Sequence, residues 1–355
     1  MNRLHEALRP PATPARPRFP SNARLPRRGY PPPVSLLIPA YNSGAYIAAA
    51  IRSALAQDYP ELEIVISDDA STDGSAALIR SLVREDPRVR FVAQPRNLGM
   101  VANWNWCLAQ ARGTYVKFLF GDDVLTSPDS VARLVHLLDA HPLAVLATSA
   151  RELIDGNSHP AGVWNHLRTP GWHPGPAVVA RCFLSGCNLI GEPSAVLLRR
   201  AALERGFDPA LRQLVDLELW LRLLQRGDLV YTPESLVAFR RHARQQTQIN
   251  ARSAVGQIET LGLIERFLGT AERRRAAGIG EFDYRFIQFR TLHALRKAAR
   301  RHPRCQAAAD ALARQLPPGW RFTCHLRHRL ARPFENLARS LRKRERPLRP
   351  ALAAT

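Results

Sequence analysis

The chain has 355 residues, of which 46% are hydrophobic, and it carries a formal net charge of +21. That length and apolar content suffice for one large packed domain with an appendage, and they exclude a disordered chain or a small disulfide-rich scaffold. Its five cysteines form no Cys-x-x-Cys pair, which fits a reducing compartment such as the cytoplasm. Because no apolar run approaches about 18 residues, we expect neither a membrane-spanning helix nor an export signal.

Most of the positive charge lies at the two ends of the chain. Residues 1–33 contain seven arginines and one glutamate, and residues 301–355 contain thirteen basic and three acidic side chains, so the ends hold +16 of the net charge. Basic segments of this kind bind nucleic acid or an anionic membrane surface. A solvated arginine-rich tail without a dedicated partner is the alternative for the first segment.

Order is predicted to begin at Val34. Residues 1–33 are rich in Pro and Arg, a composition that cannot build a core, and this predicts a disordered or extended leader. Beyond them, strand and helix patterns alternate, which predicts an α/β fold with a mostly parallel sheet flanked by helices. The predicted strands are Val34–Ile38, Glu63–Ser67, Val89–Val92, Tyr115–Phe120 and Ala144–Ala147, and the predicted helices between them are Ala45–Gln57, Ser75–Val83, Val101–Ala111 and Asp129–Ala140.

The second half of the chain is less regular. Residues 150–200 predict a loop-rich section, after which the pattern predicts a strand at Ala195–Arg199, a helix at Leu217–Gln225 and a strand near Leu229–Tyr231. Beyond about Ser253 the sequence is helical in pattern and increasingly basic, with predicted helices at Gln257–Leu268, Tyr284–Arg300, Gln306–Gln315 and Leu326–Arg344. We therefore predict a leader over 1–33, an α/β domain over 34–252 and a basic helical extension over 253–355.

Two of the predicted strands end in paired carboxylates. Asp68-Asp69 follows the second strand and Asp122-Asp123 follows the fourth. Ligands of parallel sheets bind beyond the carboxyl ends of the strands, so these pairs are expected to share one site. Because carboxylates repel one another, their clustering calls for a metal ion or a ligand rich in hydrogen-bond donors.

Five motifs follow one another along the chain, at Val34–Asn42, Ile66–Gly74, Asn97–Gly99, Gly113–Asp123 and Asp216–Arg222. A set of motifs in order is far more specific than any one alone. This set, over roughly residues 34–245, resembles that of family 2 glycosyltransferases with the GT-A fold.

The resemblance implies an inverting enzyme that takes a sugar from a nucleotide diphosphate donor with a divalent cation, Mg or Mn. Under it, Asp123 is the metal ligand and Asp122 the partner on the ribose and phosphate side. A metal that bridges the diphosphate oxygens stabilises the negative charge that develops on the leaving group.

The nucleotide pocket is expected at the ends of the first two strands. By resemblance Asp69 accepts hydrogen bonds from the base with Asp68 as support, while Pro39 and Tyr41 line the base pocket, where an aromatic face can pack on a planar ring. The alternative for the Asp68-Asp69 loop is a turn that leads into a helix N-terminus.

Further polar residues complete the predicted donor side. Asn97 and Asn105 are expected to face the nucleotide, Arg240 to steady the diphosphate, and His242 to approach the metal or phosphate. The alternative for the segment with Arg240 and His242 is a basic surface loop.

Asp216 is the candidate catalytic base for the acceptor hydroxyl, because it fills the second position of the acidic pair that begins the family's acceptor-side helix. Val215 stands where the family usually has Glu, so Glu218 is the reserve candidate, and helix capping is the alternative role for Asp216. Glu192 resembles a residue that flanks the acceptor pocket and is the candidate for acceptor contact.

The resemblance further implies sugar transfer to a hydroxyl acceptor in the assembly of a surface glycan such as lipopolysaccharide, capsule or exopolysaccharide. The expected partners are a nucleotide-diphosphate sugar, a glycan or lipid-linked acceptor, and an anionic membrane surface on the cytoplasmic side. The absence of a GxGxxG loop argues against a dinucleotide oxidoreductase, and no nucleic-acid recognition motif accompanies the charge. The alternative function is a basic nucleic-acid- or membrane-binding protein whose GT-A domain is catalytically inactive.

Overall fold

The computed structural model describes residues 33–317 and residue 319. Most of the predicted leader, Cys324 and the predicted helix Leu326–Arg344 lie outside the described residues. The strands are β1 (Val34–Ala40), β2 (Leu62–Asp68), β3 (Val89–Ala93), β4 (Tyr115–Phe118), β5 (Val124–Leu125), β6 (Ala144–Ile154), β7 (Pro160–Trp164), β8 (Gly171–His173), β9 (Val196–Arg199) and β10 (Asp228–Arg240). The helices are α1 (Ile47–Leu55), α2 (Ser75–Val83), α3 (Met100–Gln110), α4 (Ser130–Asp139), α5 (Gly175–Ser185), α6 (Val215–Leu223), α7 (Gln246–Ala251), α8 (Val255–Leu268), α9 (Ala271–Ala276), α10 (Glu281–Ala299) and α11 (Arg304–Gln315).

These strands form one sheet in the order β3-β2-β1-β4-β9-β6-β10-β5, with β7 paired to β6 and β8 paired to β10. Strands β3, β2, β1, β4, β6 and β10 run in one direction, and β9 runs in the opposite direction between β4 and β6. The predicted α/β class with a mostly parallel sheet is therefore confirmed. The ends of β1, β2 and β4 that carry the acidic loops lie on the same edge of the sheet.

The central strands form because their apolar runs are buried on both faces. Every residue of β1 is buried. Successive side chains of this strand belong to two different apolar clusters, with Leu37 in one and Leu36 and Ile38 in the other. Helix α1 covers one face with Ile47, Ala50, Ile51 and Ala54, the spacing of one side of an α-helix. Full burial of each large aliphatic side chain contributes about 1.5–3 kcal/mol.

Residues 150–200 contain more regular structure than predicted. Strand β6 runs on to Ile154 and is followed by β7, β8 and α5, and β10 has 13 residues where the pattern predicts a strand only near Leu229–Tyr231. The two long strands pair with each other in parallel through several register shifts. Polar residues such as Arg151 and Glu234 interrupt their apolar runs, which hides them from a reading of periodicity.

Helices α7 to α11 follow the sheet, and α10, α11 and α8 pack together around a third apolar cluster that includes Leu292, Leu295 and Leu312. Helix α8 also contacts the segment before α6, because Glu259 accepts hydrogen bonds from the backbone N–H groups of residues 212–214 at 2.7–3.0 Å. Among the residues that the structure describes, no helix combines the length and apolar character needed to cross a bilayer. The division at residues 252 and 253 stays a prediction.

Candidate active site

The loops that follow β1 and β2 are joined by hydrogen bonds. The Asn42 N–H donates to Ser71 Oγ at 2.9 Å, and the Thr72 N–H donates to Asn42 Oδ1 at 2.9 Å. Two residues after Asn42, the Gly44 N–H donates to Asp73 Oδ2 at 2.9 Å. These contacts fix the two loops as one rim at the carboxyl end of the sheet.

The loop after β4 packs against the same rim. A Cβ atom added to Gly121 would lie 3.0 Å from Ser43 Oγ and 3.0 Å from Ile47 Cδ1, so only a residue without a side chain allows this approach at no cost. Gly121 directly precedes Asp122 and Asp123. Both predicted acidic pairs therefore stand on one continuous edge.

Asp68 and Asp69 are both almost fully buried but have different environments. Asp69 Oδ1 accepts the Leu98 N–H at 2.6 Å, and Asp69 Oδ2 accepts the Gly99 N–H at 3.0 Å. Both oxygens of this carboxylate are therefore hydrogen-bonded to the backbone of the loop after β3. Asp68 Oδ2 accepts the Ser71 N–H at 3.0 Å, while its buried Oδ1 has no hydrogen-bond partner among the residues that the structure describes. The assignment of Asp69 to the base and of Asp68 to support stays a prediction.

The other residues predicted for the nucleotide pocket are divided. Pro39 is buried in β1, Tyr41 is 53% exposed just beyond it, and Asn97 Nδ2 donates to the Asp69 carbonyl at 3.1 Å. Asn105 does not join them, because its Nδ2 donates to the Phe207 carbonyl at 2.9 Å and its Oδ1 accepts the Phe207 N–H at 2.8 Å.

Asn103, two residues before Asn105, contacts β2 instead. It is buried, its Oδ1 accepts the Ser67 Oγ–H at 2.6 Å, and its Nδ2 donates to the Ser67 carbonyl at 3.3 Å. Ser67 is the residue before Asp68. The helical period separates Asn103 from Asn105 by about 200°, so the two side chains leave α3 on different sides.

Asp123 is fully buried. Its Oδ1 accepts the Arg240 N–H at 3.0 Å, and the nearby Ser194 hydroxyl favours the ionised carboxylate, but Oδ2 accepts no hydrogen bond of regular geometry within the described residues. Burial raises the pKa of this carboxyl well above its usual range, and the charge of Asp122 raises it further. An unpaired buried carboxylate oxygen is costly unless a cation or donor completes it.

A buried lysine lies behind this carboxylate. Lys117 of β4 is 1% exposed, and its Nζ donates to the Ser194 carbonyl. Burial lowers the pKa of Lys117 to about 7, against the opposing effect of the Asp123 charge. The Ser194 hydroxyl in turn accepts the Phe120 N–H at 3.0 Å. The sequence reasoning missed Lys117, although a lysine inside an apolar strand is a recognisable signal.

His242 and Arg240 reach the acidic loop from the end of β10. His242 Nε2 lies 3.1 Å from Asp122 Oδ2, and its ring packs against Tyr46 with the centroids 4.8 Å apart. Arg240 is buried, donates to the Asp122 carbonyl at 2.8 Å and to the Asp155 carbonyl at 3.0 Å, and lies over the Tyr46 ring. Arg240 therefore fastens the loops together and does not point freely toward a diphosphate.

The residues fit a divalent cation that takes part of its ligand set from a substrate. Among the described residues, no group of three or more His, Cys, Asp or Glu side chains is arranged as a metal site. Asp123 Oδ2 nevertheless accepts no hydrogen bond of regular geometry from the described residues, and Oδ2 of the neighbouring Asp122 lies 3.1 Å from His242 Nε2. Magnesium-type sites commonly use one or two carboxylates together with substrate phosphates, and this donor set matches that pattern.

A cavity of about 340 Å³ lies next to Asp216 and Glu192, within the usual range for small-molecule sites. Polar residues of its lining include Asp216, Glu192, Asn188, Gln245 and Arg241. Its apolar residues come from β7, β10 and helices α5, α6, α8 and α10, and include Trp164, Phe183, Phe239, Leu263, Ile264 and Ile287. The lining thus combines a group of polar residues with a group of apolar residues.

Asp216 lies in the first turn of α6 among the polar residues of the cavity lining. Its Oδ1 accepts the Leu217 N–H at 2.7 Å and its Oδ2 accepts from Asn188 Nδ2 at 3.1 Å. Burial, followed by the negative charge of Glu192, raises the pKa of Asp216 to about 7. A carboxyl with such a pKa can exchange a proton near neutral pH.

Glu192 shares the cavity with Asp216 and is held by a buried arginine. Arg151 of β6 is 2% exposed, and its Nε lies 2.8 Å from Glu192 Oε2. Gly191 has φ +126°, and a Cβ there would lie 2.7 Å from Arg151 Nη1. The arginine and the glycine therefore fix where Glu192 stands; neither was predicted from the sequence.

Glu218 does not serve as a reserve base. Its side chain is fully buried, and its oxygens pair with Arg205 at 2.9 Å, Arg222 at 3.2 Å and Arg266 at 2.8 Å. It does not line the cavity that contains Asp216. This carboxylate is a structural ion-pair centre, and the helical spacing of two residues turns it away from Asp216.

Comparisons with known proteins agree with this geometry. The profile of a family described as Glycosyl transferase family 2 matches residues 35–207. An uncharacterized protein of Mycobacterium tuberculosis is 35% identical over 231 residues, which cover 62% of this chain and 71% of that protein. The succinoglycan biosynthesis protein ExoO of Rhizobium meliloti is 39% identical over 109 residues, which cover 31% of this chain and only 30% of that protein.

A solved structure shares the fold. The mannosyltransferase PcManGT from Pyrobaculum calidifontis, determined in complex with GDP-Man and Mn2+, has a TM-score of 0.50 at 18% identity, and the match covers 87% of this chain and 88% of that chain. The family profile spans both acidic loops and Glu192 and ends before Asp216.

Proposed function

This chain belongs to glycosyl transferase family 2, and from that membership we propose that it moves a sugar from a nucleotide diphosphate donor to a hydroxyl acceptor with inversion at the sugar carbon. The observation that carries the proposal is Asp216, a carboxyl with its pKa raised to about 7 in the lining of a cavity. A base for an acceptor hydroxyl needs both that access and that pKa.

The donor site is the edge formed by the acidic loops. The unpaired Oδ1 of Asp68 accepts an N–H or O–H group of the nucleoside, and Tyr41 offers an exposed ring beside it. Asp122 and Asp123, with His242 next to them, hold a divalent cation, Mg or Mn. When bound, such a cation stabilises negative charge on a diphosphate leaving group. The presence of GDP-Man and Mn2+ in the PcManGT complex supports this assignment.

The acceptor hydroxyl is activated by Asp216. Its proton passes to a carboxylate oxygen of Asp216 as the hydroxyl oxygen forms a bond with the sugar carbon, and the bond from that carbon to the diphosphate oxygen breaks. Attack from the side opposite the leaving group inverts the carbon. The Glu192 carboxylate accepts a hydrogen bond from a second hydroxyl group of the acceptor molecule, and its ion pair with Arg151 keeps it in place.

The acceptor is a glycan or a lipid-linked glycan. Aromatic residues Trp164 and Phe239 stack at 5.7 Å between ring centroids on the cavity wall, which suits the apolar faces of a sugar ring. The apolar residues from α8 and α10 extend that wall. The relative named for succinoglycan biosynthesis supports a role in the assembly of a surface polysaccharide. In this proposal the protein attaches to the cytoplasmic face of the membrane.

A donor panel tests this function. Thermal unfolding is measured with UDP-glucose, UDP-N-acetylglucosamine and GDP-mannose, with and without Mn, because a ligand that binds only the folded protein adds about 2.7 kcal/mol at 100 times its Kd. We expect one of them to stabilise the protein more strongly with Mn. Asp216→Asn should retain that stabilisation and lose transfer by about 10²–10⁴-fold.

Asp310→Asn is the matched control, because Asp310 is an exposed carboxylate on α11. It should leave both binding and transfer unchanged. Full transfer by Asp216→Asn would assign the base elsewhere. Failure of every nucleotide sugar to stabilise the protein, with or without Mn, would favour a catalytically inactive domain.

A further inference from the structure

Asn188 connects the two carboxylates of the acceptor side. It stands in the segment between α5 and β9, two residues after Gly186, which ends α5 in the left-handed conformation with φ 66°. Its Nδ2 donates to the Gly191 carbonyl at 3.1 Å and to Asp216 Oδ2 at 3.1 Å. Its Oδ1 accepts the N–H groups of Ile190 and Gly191, each at 3.1 Å.

These four bonds fix the orientation of the side-chain amide. A primary amide has two N–H donors and one carbonyl acceptor, and here both ends are engaged. A flipped amide would place its oxygen against the Gly191 carbonyl and the Asp216 carboxylate, where two acceptors would meet without a proton. The N–H group of Asn188 that faces Asp216 is therefore set by the turn that precedes Glu192.

We propose that Asn188 is the positioning residue of the acceptor site, which orients the carboxylate of Asp216 and holds the segment that carries Glu192 with the same side chain. This inference rests on the proposed role of Asp216 as the base. One oxygen of Asp216 is directed by the Leu217 N–H and the other by Asn188. The remaining lone pairs of the carboxylate are those available to an acceptor hydroxyl.

The charged groups around Asp216 come from several elements. Glu192 lies in the same cavity and is paired with Arg151 of β6. Arg241, Cys187 and Arg290 also line the cavity. Arg290 of α10 donates to the carbonyls of Phe183 and Leu184, so it is engaged with the end of α5. Asn188 adds a neutral donor to this set, and its N–H favours the ionised form of Asp216.

Replacement of Asn188 by Leu removes the donor and keeps a side chain of similar size. Loss of a hydrogen bond to a charged group corresponds to about one to two pH units in the titration of that group. We therefore expect the midpoint of Asp216, near 7 in the natural protein, to rise by about that amount. Carboxyl ¹³C NMR of protein with labelled aspartate measures it, and Asp216→Asn identifies the signal.

Asn105→Leu is the matched control, because the Asn105 amide is likewise engaged at both ends, by the backbone of Phe207. It should lower the unfolding temperature and leave the Asp216 midpoint in place. Asn188→Leu should also lower kcat by at least tenfold with little change in the donor KM, and its acidic limb in the pH profile should move upward with the midpoint. Asn188→Gln should restore part of both.

The two possible failures give different results. An unchanged Asp216 midpoint in Asn188→Leu, alongside normal transfer, would overturn the positioning role and leave the proposed function intact. A raised midpoint in a protein that transfers no sugar from any donor would support the contact and overturn the proposed function.

Discussion

At the scale of single residues, the ionised side chain of Asp216 lowers the free energy of unfolding because it is buried near another negative charge. Its pKa is raised to about 7 by burial and by the charge of Glu192, whereas an aspartate in an unfolded chain titrates near 3.9. Folding is therefore opposed by ionisation of this group, and its contribution to the free energy of unfolding falls as the pH rises from about 4 to about 7 and then stays constant. Carboxyls that serve as bases near neutral pH commonly show such strain.

Removal of the Glu192 charge should move the pH dependence of transfer. Because that negative charge raises the pKa of Asp216, Glu192→Gln should lower it, and the acidic limb of the kcat/KM profile should shift to lower pH by up to about one unit. The acceptor KM should rise at the same time. Initial rates between about pH 5 and about pH 9, a range of about two units on either side of the pKa of Asp216, measure the shift.

Glu152→Gln is the control for this change. Glu152 follows Arg151 in β6, and its side chain is exposed on the other side of the strand. It should leave the acidic limb unchanged. A limb that stays fixed in Glu192→Gln, or moves to higher pH, would contradict the electrostatic coupling between Glu192 and Asp216.

At the scale of elements, helix α6 is held from both sides of Asp216. The Glu259 carboxylate of α8 accepts three backbone N–H groups just before the helix begins. One turn into the helix, Glu218 is buried among Arg205, Arg222 and Arg266. The candidate base is therefore placed by a helix whose ends are tied to α8 and to the preceding loop.

Neutralising Glu218 should destabilise the whole domain. Glu218→Gln keeps the shape of the side chain but leaves three arginines without their common partner. Because Arg205 and Arg266 are partly exposed, we expect a loss of about 2–4 kcal/mol in the free energy of unfolding, below the upper part of the range for broken buried pairs. Urea denaturation measures it.

Glu204→Gln provides the comparison, because Glu204 pairs with Arg226 at an exposed position. It should have no measurable effect on the urea midpoint. Equal midpoints for the two variants would show that the buried cluster does not stabilise the helix.

The sequence predicted the central elements well because burial determines them. Strands β1, β2 and β4 are continuous apolar runs, and the predicted limits agree with the structure to within about two residues. The long pair β6 and β10 was underestimated, since polar residues such as Arg151 and Glu234 lie within the strands and their pairing partners are more than 80 residues away. Local patterns carry no signal for contacts at that separation.

The positions of candidate site residues were predictable where these residues directly follow strand ends. They were not predictable where contacts between distant parts of the chain determine how a side chain is oriented. The pairs Asp68-Asp69 and Asp122-Asp123 were expected on one edge from strand topology, and both follow strands that end there. The two N–H groups that Asp69 accepts come from the loop after β3, and no local pattern predicts that contact. Asn188 gave no local signal at all, because its function depends on Asp216, which is 28 residues away.

At the scale of the whole molecule, the charge is uneven. The segments 1–33 and 301–355 hold +16 of the net +21, so the folded sheet itself has only a modest excess. Such basic segments are attracted to anionic lipid surfaces by about 1 kcal/mol per basic side chain near the surface. Attachment of this protein to a membrane through these segments stays a prediction.

The full chain should therefore bind vesicles rich in phosphatidylglycerol at about 0.05 M salt and release them at about 1 M salt, where the Debye length falls to about 3 Å. Cosedimentation measures the bound fraction. Phosphatidylcholine vesicles, which are neutral, should leave the protein in solution. Equal recovery with both lipids, or binding that persists at high salt, would contradict an electrostatic attachment.

The position of β9 has a consequence for synthesis on the ribosome. β9 separates β4 from β6, although it follows both in the chain. Until residue 199 has emerged from the exit tunnel, the first four strands and β6 have no shared neighbour, and the nascent sheet has two open edges. Translation thus has to pass residue 199 before β9 can join β4 to β6. A translational pause just before that residue would leave a chain with exposed strand edges, which chaperones are expected to recognise.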